Sequence, residues 1–386
     1  MGDAASSRGG LSASAGPSAL LCGAVAFAAL VLIALVLVAG EARADTGAPT
    51  RNQFVAAVEQ GLTAVNKRWA WQGWYQDYHG VAGWSSIWDT EQLFQTYIAL
   101  AKASPTTRHV NMLVWFAAKS EEGYYNPSLG GGVGGFSTGY GPHGQQGQQW
   151  FDDNGWLGLS FMDAWRQTHM TRFLRDAEIA FKYLYTVGWD PVAGGIWWDT
   201  QRTVKAAESV NTAALLAVEL YEARAGASYL TSARRLIAWA DDNLLDMNSG
   251  LYLNRPDEGV SISYLESPML STFMRLCRDV DDYCDRVAPL ERAMLAHFGG
   301  ALDQPPQFDA TYLRYLLDAY QLYHDPRLYT VAYTNAVRIA QNALDKEGYY
   351  SRAWDGSTNG ISPGLISVDG AALEVLAWTA AVPPPA

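Results

Sequence analysis

Gln148-Gln149-Trp150-Phe151-Asp152-Asp153-Asn154-Gly155-Trp156 sets two adjacent carboxylates between aromatic residues, at a change of register in the chain. Behind it, Leu157, Leu159, Phe161, Met162 and Trp165 recur at roughly helical spacing. Ahead of it, Gly130 to Gln149 is a run of Gly and Gln without hydrophobic periodicity, which reads as a loop. The pair is therefore expected to cap the N-terminus of a helix. There, unpaired N–H groups and the helix dipole favour one ionised carboxylate. Its charge, with Trp150, Phe151 and Trp156 excluding water, should raise the pKa of the second. Two carboxyls driven apart in this way suit acid and nucleophile roles in glycoside hydrolysis. Plain capping is the alternative, since Asp and Asn are common N-caps. Two internal controls support the first reading. Asp241-Asp242-Asn243 falls late in a helical run, as a solvated face, and Asp281-Asp282 opens a helix without aromatic flanks, as a cap.

The chain has 386 residues, 49% hydrophobic and 17% charged, enough for a large core in one or two domains. A net charge of -12 without a Lys/Arg cluster argues against nucleic acid and anionic membrane surfaces, and leaves a neutral polymer as the compatible partner. Fifteen Trp and 21 Tyr, several in Gly-rich loops, suit stacking on sugar rings as well as ordinary packing. Residues 20–39 carry no charge and precede Ala42-Arg43-Ala44-Asp45, the small-x-small pattern of a signal-peptidase site. Residues 1–44 thus read as a signal peptide or an N-terminal membrane anchor, and 45–386 as a single exported domain, secreted or tethered at the cell envelope. Cys22 lacks the small neighbour of a lipoprotein signal. Cys277 and Cys284 can pair only if a turn near Asp279 to Asp282 separates them.

Past residue 45 the chain divides into twelve helix-length amphipathic runs, at about 52–68, 89–104, 105–119, 152–168, 170–187, 206–225, 227–245, 263–279, 281–298, 307–324, 325–344 and 368–379. They pair across short turns such as Ser104-Pro105, His169-Met170, Gly226-Ala227 and His324-Asp325. Most pairs are followed by a Gly-aromatic mark: Gly73-Trp74-Tyr75, Gly123-Tyr124-Tyr125, Gly195-Ile196-Trp197-Trp198, Gly250-Leu251-Tyr252, Gly348-Tyr349-Tyr350, with a weaker one at Gly299-Gly300. Such a period implies stacked helical hairpins. An all-α ring of six hairpins, inner circle within outer, follows, with an open solenoid as the alternative. The formal GxGxxG at Gly130–Gly135 has no strand before it. The GxSxG at Gly360–Gly364 has Pro after its Ser and no His beyond His324. Six dispersed His without ligand spacing give no metal site, and Gln145 to Gln149 reads as a flexible segment or a substrate rim.

Trp150-Phe151-Asp152-Asp153-Asn154-Gly155-Trp156-Leu157, with Asp163-Ala164-Trp165 and Thr168, resembles the catalytic segment of glycoside hydrolase family 76, the endo-α-1,6-mannanases. Gly194-Gly195-Ile196-Trp197-Trp198-Asp199 with Lys205-Ala206-Ala207 and Asn211 adds to the likeness, as does Tyr229-Leu230 with Ala233, Trp239, Leu244 and Gly250-Leu251-Tyr252. The resemblance implies an (α/α)6 barrel, a mannan or other mannose-containing glycan as substrate, no cofactor, and a monomer. It makes Asp152 the nucleophile and Asp153 the general acid/base of a retaining mechanism, with carboxyls roughly 5–5.5 Å apart. Trp150, Phe151, Trp156, Trp197, Trp198 and Asn211 are the expected substrate contacts. Tyr264-Leu265-Glu266-Ser267-Pro268 departs from the family's Tyr-Asn-Gln-Gly segment and is expected to alter the sugar subsites. The other readings are a mannosyl transglycosylase of the cell envelope, a non-catalytic carbohydrate-binding or scaffold protein on the same ring, and, less favoured by the few basic residues near the pair, an unsaturated uronyl hydrolase.

Overall fold

The capping box at Ser86 shows how these helices start. Ser86 Oγ accepts from the Asp89 N–H at 3.2 Å, while the Asp89 carboxylate accepts from the Ser86 N–H at 3.2 Å. The computed structural model describes residues 49–224, 226–357 and 364–386. The 20–39 segment, the 42–45 cleavage pattern and most of the GxSxG match lie outside them. Among the described residues no helix is long and apolar enough to cross a membrane.

Twelve long helices follow in order: α1 (Arg51–Trp69), α2 (Ile87–Ala103), α3 (Thr107–Tyr124), α4 (Phe151–Thr168), α5 (Thr171–Val187), α6 (Ala207–Arg224), α7 (Ala227–Asn243), α8 (Ser263–Val280), α9 (Cys284–Phe298), α10 (Pro306–Tyr323), α11 (Pro326–Arg338) and α12 (Ile366–Ala381). A π turn, Ile339–Ala343, extends α11. The even-numbered helices are buried almost all round; every residue of α12 is buried. The odd-numbered ones bury one stripe, as α5 does with Phe173, Leu174, Ala177, Ala180, Phe181 and Leu184. Burial thus sorts the twelve into inner and outer sets. Inner helices pack in the cycle α2, α4, α6, α8, α10, α12 and back to α2, and each outer helix packs on the inner helix paired with it. The ring is closed, an (α/α)6 barrel, and α4 with its two carboxylates belongs to the inner circle.

Close approach of α4 and α6 depends on a small residue. A Cβ at Gly155 would fall on the Thr212 side chain. Two inner-to-outer turns use a single left-handed residue, His169 (φ 56°) and His324 (φ 58°), and a third uses two, Asp281 (φ 54°) and Tyr283 (φ 60°). Three short antiparallel ribbons, Ala70–Trp71 with Trp74–Tyr75, Tyr125–Asn126 with Gly135–Phe136, and Leu245–Asp246 with Leu251–Tyr252, follow outer helices. They explain the Gly-aromatic marks, because Gly73, Gly134 and Gly250 turn these ribbons at φ 82°, 78° and 73°. Gly123 is not such a turn. It lies inside α3, so the true second mark is Gly134-Gly135-Phe136, and the spacing of the marks becomes more even.

The Asp281-Asp282 pair does not open a helix. Asp281 closes α8 in the left-handed region, Tyr283 precedes α9, and the turn between them brings Cys277 and Cys284 to a Cα separation of 4.7 Å in a disulfide. Asp241 is likewise more than a solvated face. It accepts from Arg286 at 2.6 Å and from the Tyr252 hydroxyl at 2.7 Å, while Asp242 is exposed.

Candidate active site

The N-terminal turns of the inner helices converge on one end of the barrel, and each carries an acid: Asp89, Asp152 with Asp153, Glu208, Glu266, Asp309 and Asp369. Positive helix ends make that placement favourable. Two of these acids hold the segments that feed the ring. Both Glu266 oxygens accept from the Tyr252 N–H, at 3.0 and 3.1 Å, and Asp369 accepts from the Tyr350 N–H at 2.9 Å. On α4 the corresponding work falls to Asn154, which exchanges two hydrogen bonds with the Phe136 backbone at 2.9 and 2.8 Å. That leaves Asp152 and Asp153 free to face outward from the same turn.

The pair does not cap α4. Trp150 is the N-cap and makes no side-chain cap bond, and the two Asp lie within the first turn. The start of the helix is instead clamped from both sides. The Phe151 N–H donates to Trp198 O at 2.7 Å, and the Trp150 N–H donates to Thr138 Oγ1 at 3.0 Å. Thr138 Oγ1 in turn donates to Asp153 Oδ2 at 2.5 Å. Gln149 is buried and accepts from the Thr138 N–H at 2.7 Å, and Gln148 donates to Asp199 at 2.6 Å. These bonds tie both glutamines into the loop.

Asp152 and Asp153 border a cleft of about 380 Å³. Burial raises both carboxyls. Asp153 is pushed up to about 7, while the Thr138 hydroxyl holds it down. Asp152 is driven well above the carboxylate range by burial, then by the charges of Asp153 and Glu208. It keeps part of its surface in the cleft, but its Oδ1 is buried without a partner. Both are raised because loss of solvation outweighs the donors, backbone N–H groups at Asp152 and the Thr138 hydroxyl at Asp153, that favour the ionised forms.

Of the aromatic residues expected to contact substrate, Trp150 and Trp198 line the cleft. Phe151 does not. It is fully buried and packs on Tyr183, with ring centroids 5.4 Å apart. Trp156 lies one layer below, 1% exposed, against Trp88 and Tyr264. Trp197 does not line the cleft, and its ring carries the Lys205 ammonium at 4.8 Å. Asn211 is buried and donates to Leu265 O at 2.8 Å, tying α6 to α8.

Sequence reasoning missed Ser86, Trp88, Thr138, Glu208 and Phe308, all of which line the cleft. Glu208 is a third acid there, raised to about 7 by burial. Four of the five sit at or near the start of an inner helix, so the signal was position within the repeat. The departing segment 264–268 contributes Tyr264 to the cleft, stacked on Phe308 at 4.5 Å, while Leu265 and Glu266 are turned into the packing between α8 and its neighbours.

The closed helical barrel thus presents paired carboxyls in an aromatic cleft at the N-terminal ends of its inner helices, and a carboxyl pair is what glycosidase chemistry uses. Residues 66–259, half of the chain, match glycosyl hydrolase family 76, and the chain belongs to that family. No curated protein matches it in sequence. Among solved structures it is similar to a GH76 α-mannanase from Bacteroides thetaiotaomicron, with TM-score 0.75 and 21% identity over 85% of this chain and 95% of that one. It is also similar to the GH76A α-1,6-mannanase of Salegentibacter sp. HEL1_6, with TM-score 0.68 and 16% identity over 85% and 99%. An inactive form of that enzyme, with two adjacent Asp changed to Asn, holds α-1,6-mannotriose. A third is Dfg5 from Chaetomium thermophilum in complex with glucosamine, with TM-score 0.71 and 15% identity over 88% and 93%.

Proposed function

We propose that this chain is an exported, retaining endo-α-1,6-mannanase that uses Asp152 and Asp153. The observation that carries the reading is the pair itself: two carboxyls from one helical turn, both raised by burial, at the floor of a cleft walled by Trp88, Trp150, Trp198, Tyr264 and Phe308. Aromatic faces of this kind bind the apolar faces of pyranose rings and leave the hydroxyls to polar neighbours. Asp152 attacks the anomeric carbon as the glycosidic C–O bond breaks, and Asp153 gives its proton to the departing oxygen. Asp153, now ionised, takes a proton from water, whose oxygen displaces Asp152 and restores both groups. A carboxyl near 7 suits this exchange, because it both holds and releases a proton near neutral pH. Asp152 is a costly anion in the empty cleft, and the positive charge that develops on the sugar offsets that cost in the transition state.

The aromatic lining favours a second reading of the same intermediate. The same aromatic faces can hold a second sugar as the acceptor in place of water, giving transglycosylation. Product analysis with α-1,6-linked mannan tests both readings. Short mannosides from the parent, lost in Asp152→Asn and Asp153→Asn with the helical circular dichroism intact, are expected. Products longer than the substrate select transfer. Unchanged activity in both variants would put the chemistry elsewhere.

A further inference from the structure

At the end of the barrel opposite the carboxyl cleft, the C-terminal halves of α2, α4, α8, α10 and α12 enclose a second cavity of about 280 Å³. Lys102, Arg166, Arg275 and Arg314 line it, against Asp163 and Asp318. Cations belong at this end, because the inner helices finish here and their C-termini carry partial negative charge. Most of them are also matched by carboxylates. Arg275 pairs with Asp318 at 2.9 Å and Glu222 at 2.7 Å, and Arg166 with Glu219 at 3.1 Å and Asp163 at 3.3 Å. Arg314 donates through Nη2 to Asp163 at 2.7 Å and through Nε to Gln95 at 3.3 Å.

Some donors are left over. Arg314 Nη1 and Arg275 Nε are buried without a partner, on side chains 4% and 7% exposed. Lys102 Nζ donates to the neutral Gln321 Oε1 at 2.7 Å, and among the described residues no carboxylate pairs with it. Both cations rest on one ring: the Arg314 guanidinium lies 3.6 Å and Lys102 Nζ 5.2 Å from the centroid of Trp378. Burial and then the charge of Arg314 lower the Lys102 pKa, while the charges of Asp163 and Asp318 only partly oppose that shift. Of the carboxylates behind them, Glu219 is raised by burial, against the opposing charges of Arg166 and Arg275. Buried charge and unmet donors facing a cavity are costly unless an acceptor arrives.

We propose that this cavity binds a small oxyanion, of the phosphate or sulfate class, between Lys102 Nζ and Arg314 Nη1. Several oxygens on one anion can accept from both donors at once, which a single chloride does less well. The anion would fasten α2 to α10 across the closed end, away from the catalytic residues. This inference does not depend on the activity proposed above.

Calorimetric titration of the full chain with inorganic phosphate and with sulfate, at constant ionic strength in chloride, tests it. The parent is expected to take up one anion. Lys102→Met keeps the stem against Trp378 and removes the charge, and should weaken binding at least about tenfold, the value of one charge-assisted hydrogen bond. Lys102→Arg should restore it, and the Asp152→Asn, Asp153→Asn double variant should bind as the parent does. No uptake of either anion by folded parent overturns the proposal, as does equal affinity in Lys102→Met. Loss of binding in the double Asn variant would move the anion to the catalytic cleft and overturn it equally.

Discussion

Replacing Thr138 by Val removes one hydroxyl of nearly unchanged shape from beside the catalytic pair, and its consequence can be worked through. That hydroxyl donates to Asp153 Oδ2 at 2.5 Å and so favours the ionised carboxylate. A hydrogen bond to a charged group contributes about 1.5–3 kcal/mol. At about 1.4 kcal/mol per pKa unit, its loss raises the Asp153 pKa by about one to two units, from about 7 towards 8 or 9. If Asp153 is the acid, activity needs its protonated form and falls as pH rises through that pKa. The alkaline limb of kcat/KM against pH on α-1,6-mannan should therefore move up by about one to two units while the acidic limb stays in place. The Trp150 N–H also loses its acceptor, so the variant should be less stable by about 1–3 kcal/mol, and the profile must be taken well below its melting temperature. An upward shift of the acidic limb instead would make Asp153 the nucleophile and reverse the proposed roles. If neither limb moves, the hydroxyl does not tune the reacting carboxyl and the reasoning fails.

Gly155→Ala should destabilise by about 1–3 kcal/mol, because the new methyl meets Thr212 on α6. Denaturant unfolding of the double variant with Thr212→Ala should recover part of this, and strict additivity would refute the contact. Replacing Cys277 and Cys284 by Ala opens a cross-link of sequence separation 7 and should cost roughly 2–3 kcal/mol, read as a lower denaturation midpoint; an unchanged midpoint counts against a stabilising disulfide. Buried carboxyls also make stability depend on pH. Burial raises Glu91 to about 8, and Asp309 and Asp369 to about 7, against about 4 in the unfolded chain. Their folded forms hold protons the unfolded chain releases, so their contribution is complete below about pH 4 and is lost as pH rises through about 7 to 8. Asp163 and Asp318 are lowered and act in the opposite sense, their contribution being lost as pH falls below about 4. The urea midpoint should be higher at pH 5 than at pH 8, and the reverse order would show that these carboxyls are hydrated or paired in solution.

Periodicity alone was enough for twelve helices and their pairing, because each outer helix shows a stripe and each turn a breaker such as His169 or Gly226. The Asp152-Asp153 pair was legible too, since flanking aromatic residues and a long loop are local signals. Local chemistry also allowed the Cys277–Cys284 bridge, conditional on a turn that the chain does make at Asp281–Tyr283. Closure was another matter, for a solenoid and a ring share one repeat and differ only in whether α12 meets α2. That contact joins residues far apart in sequence, and no local pattern encodes it. The same long-range packing decided which residues face the cleft. It brought Ser86, Glu208, Tyr264 and Phe308 beside Asp152 from four other inner helices, and turned Phe151, Trp156, Trp197 and Asn211 into the walls behind it. Residue type marks what a side chain can do, whereas which side of a buried helix or strand meets the cleft depends on neighbours supplied by the rest of the ring.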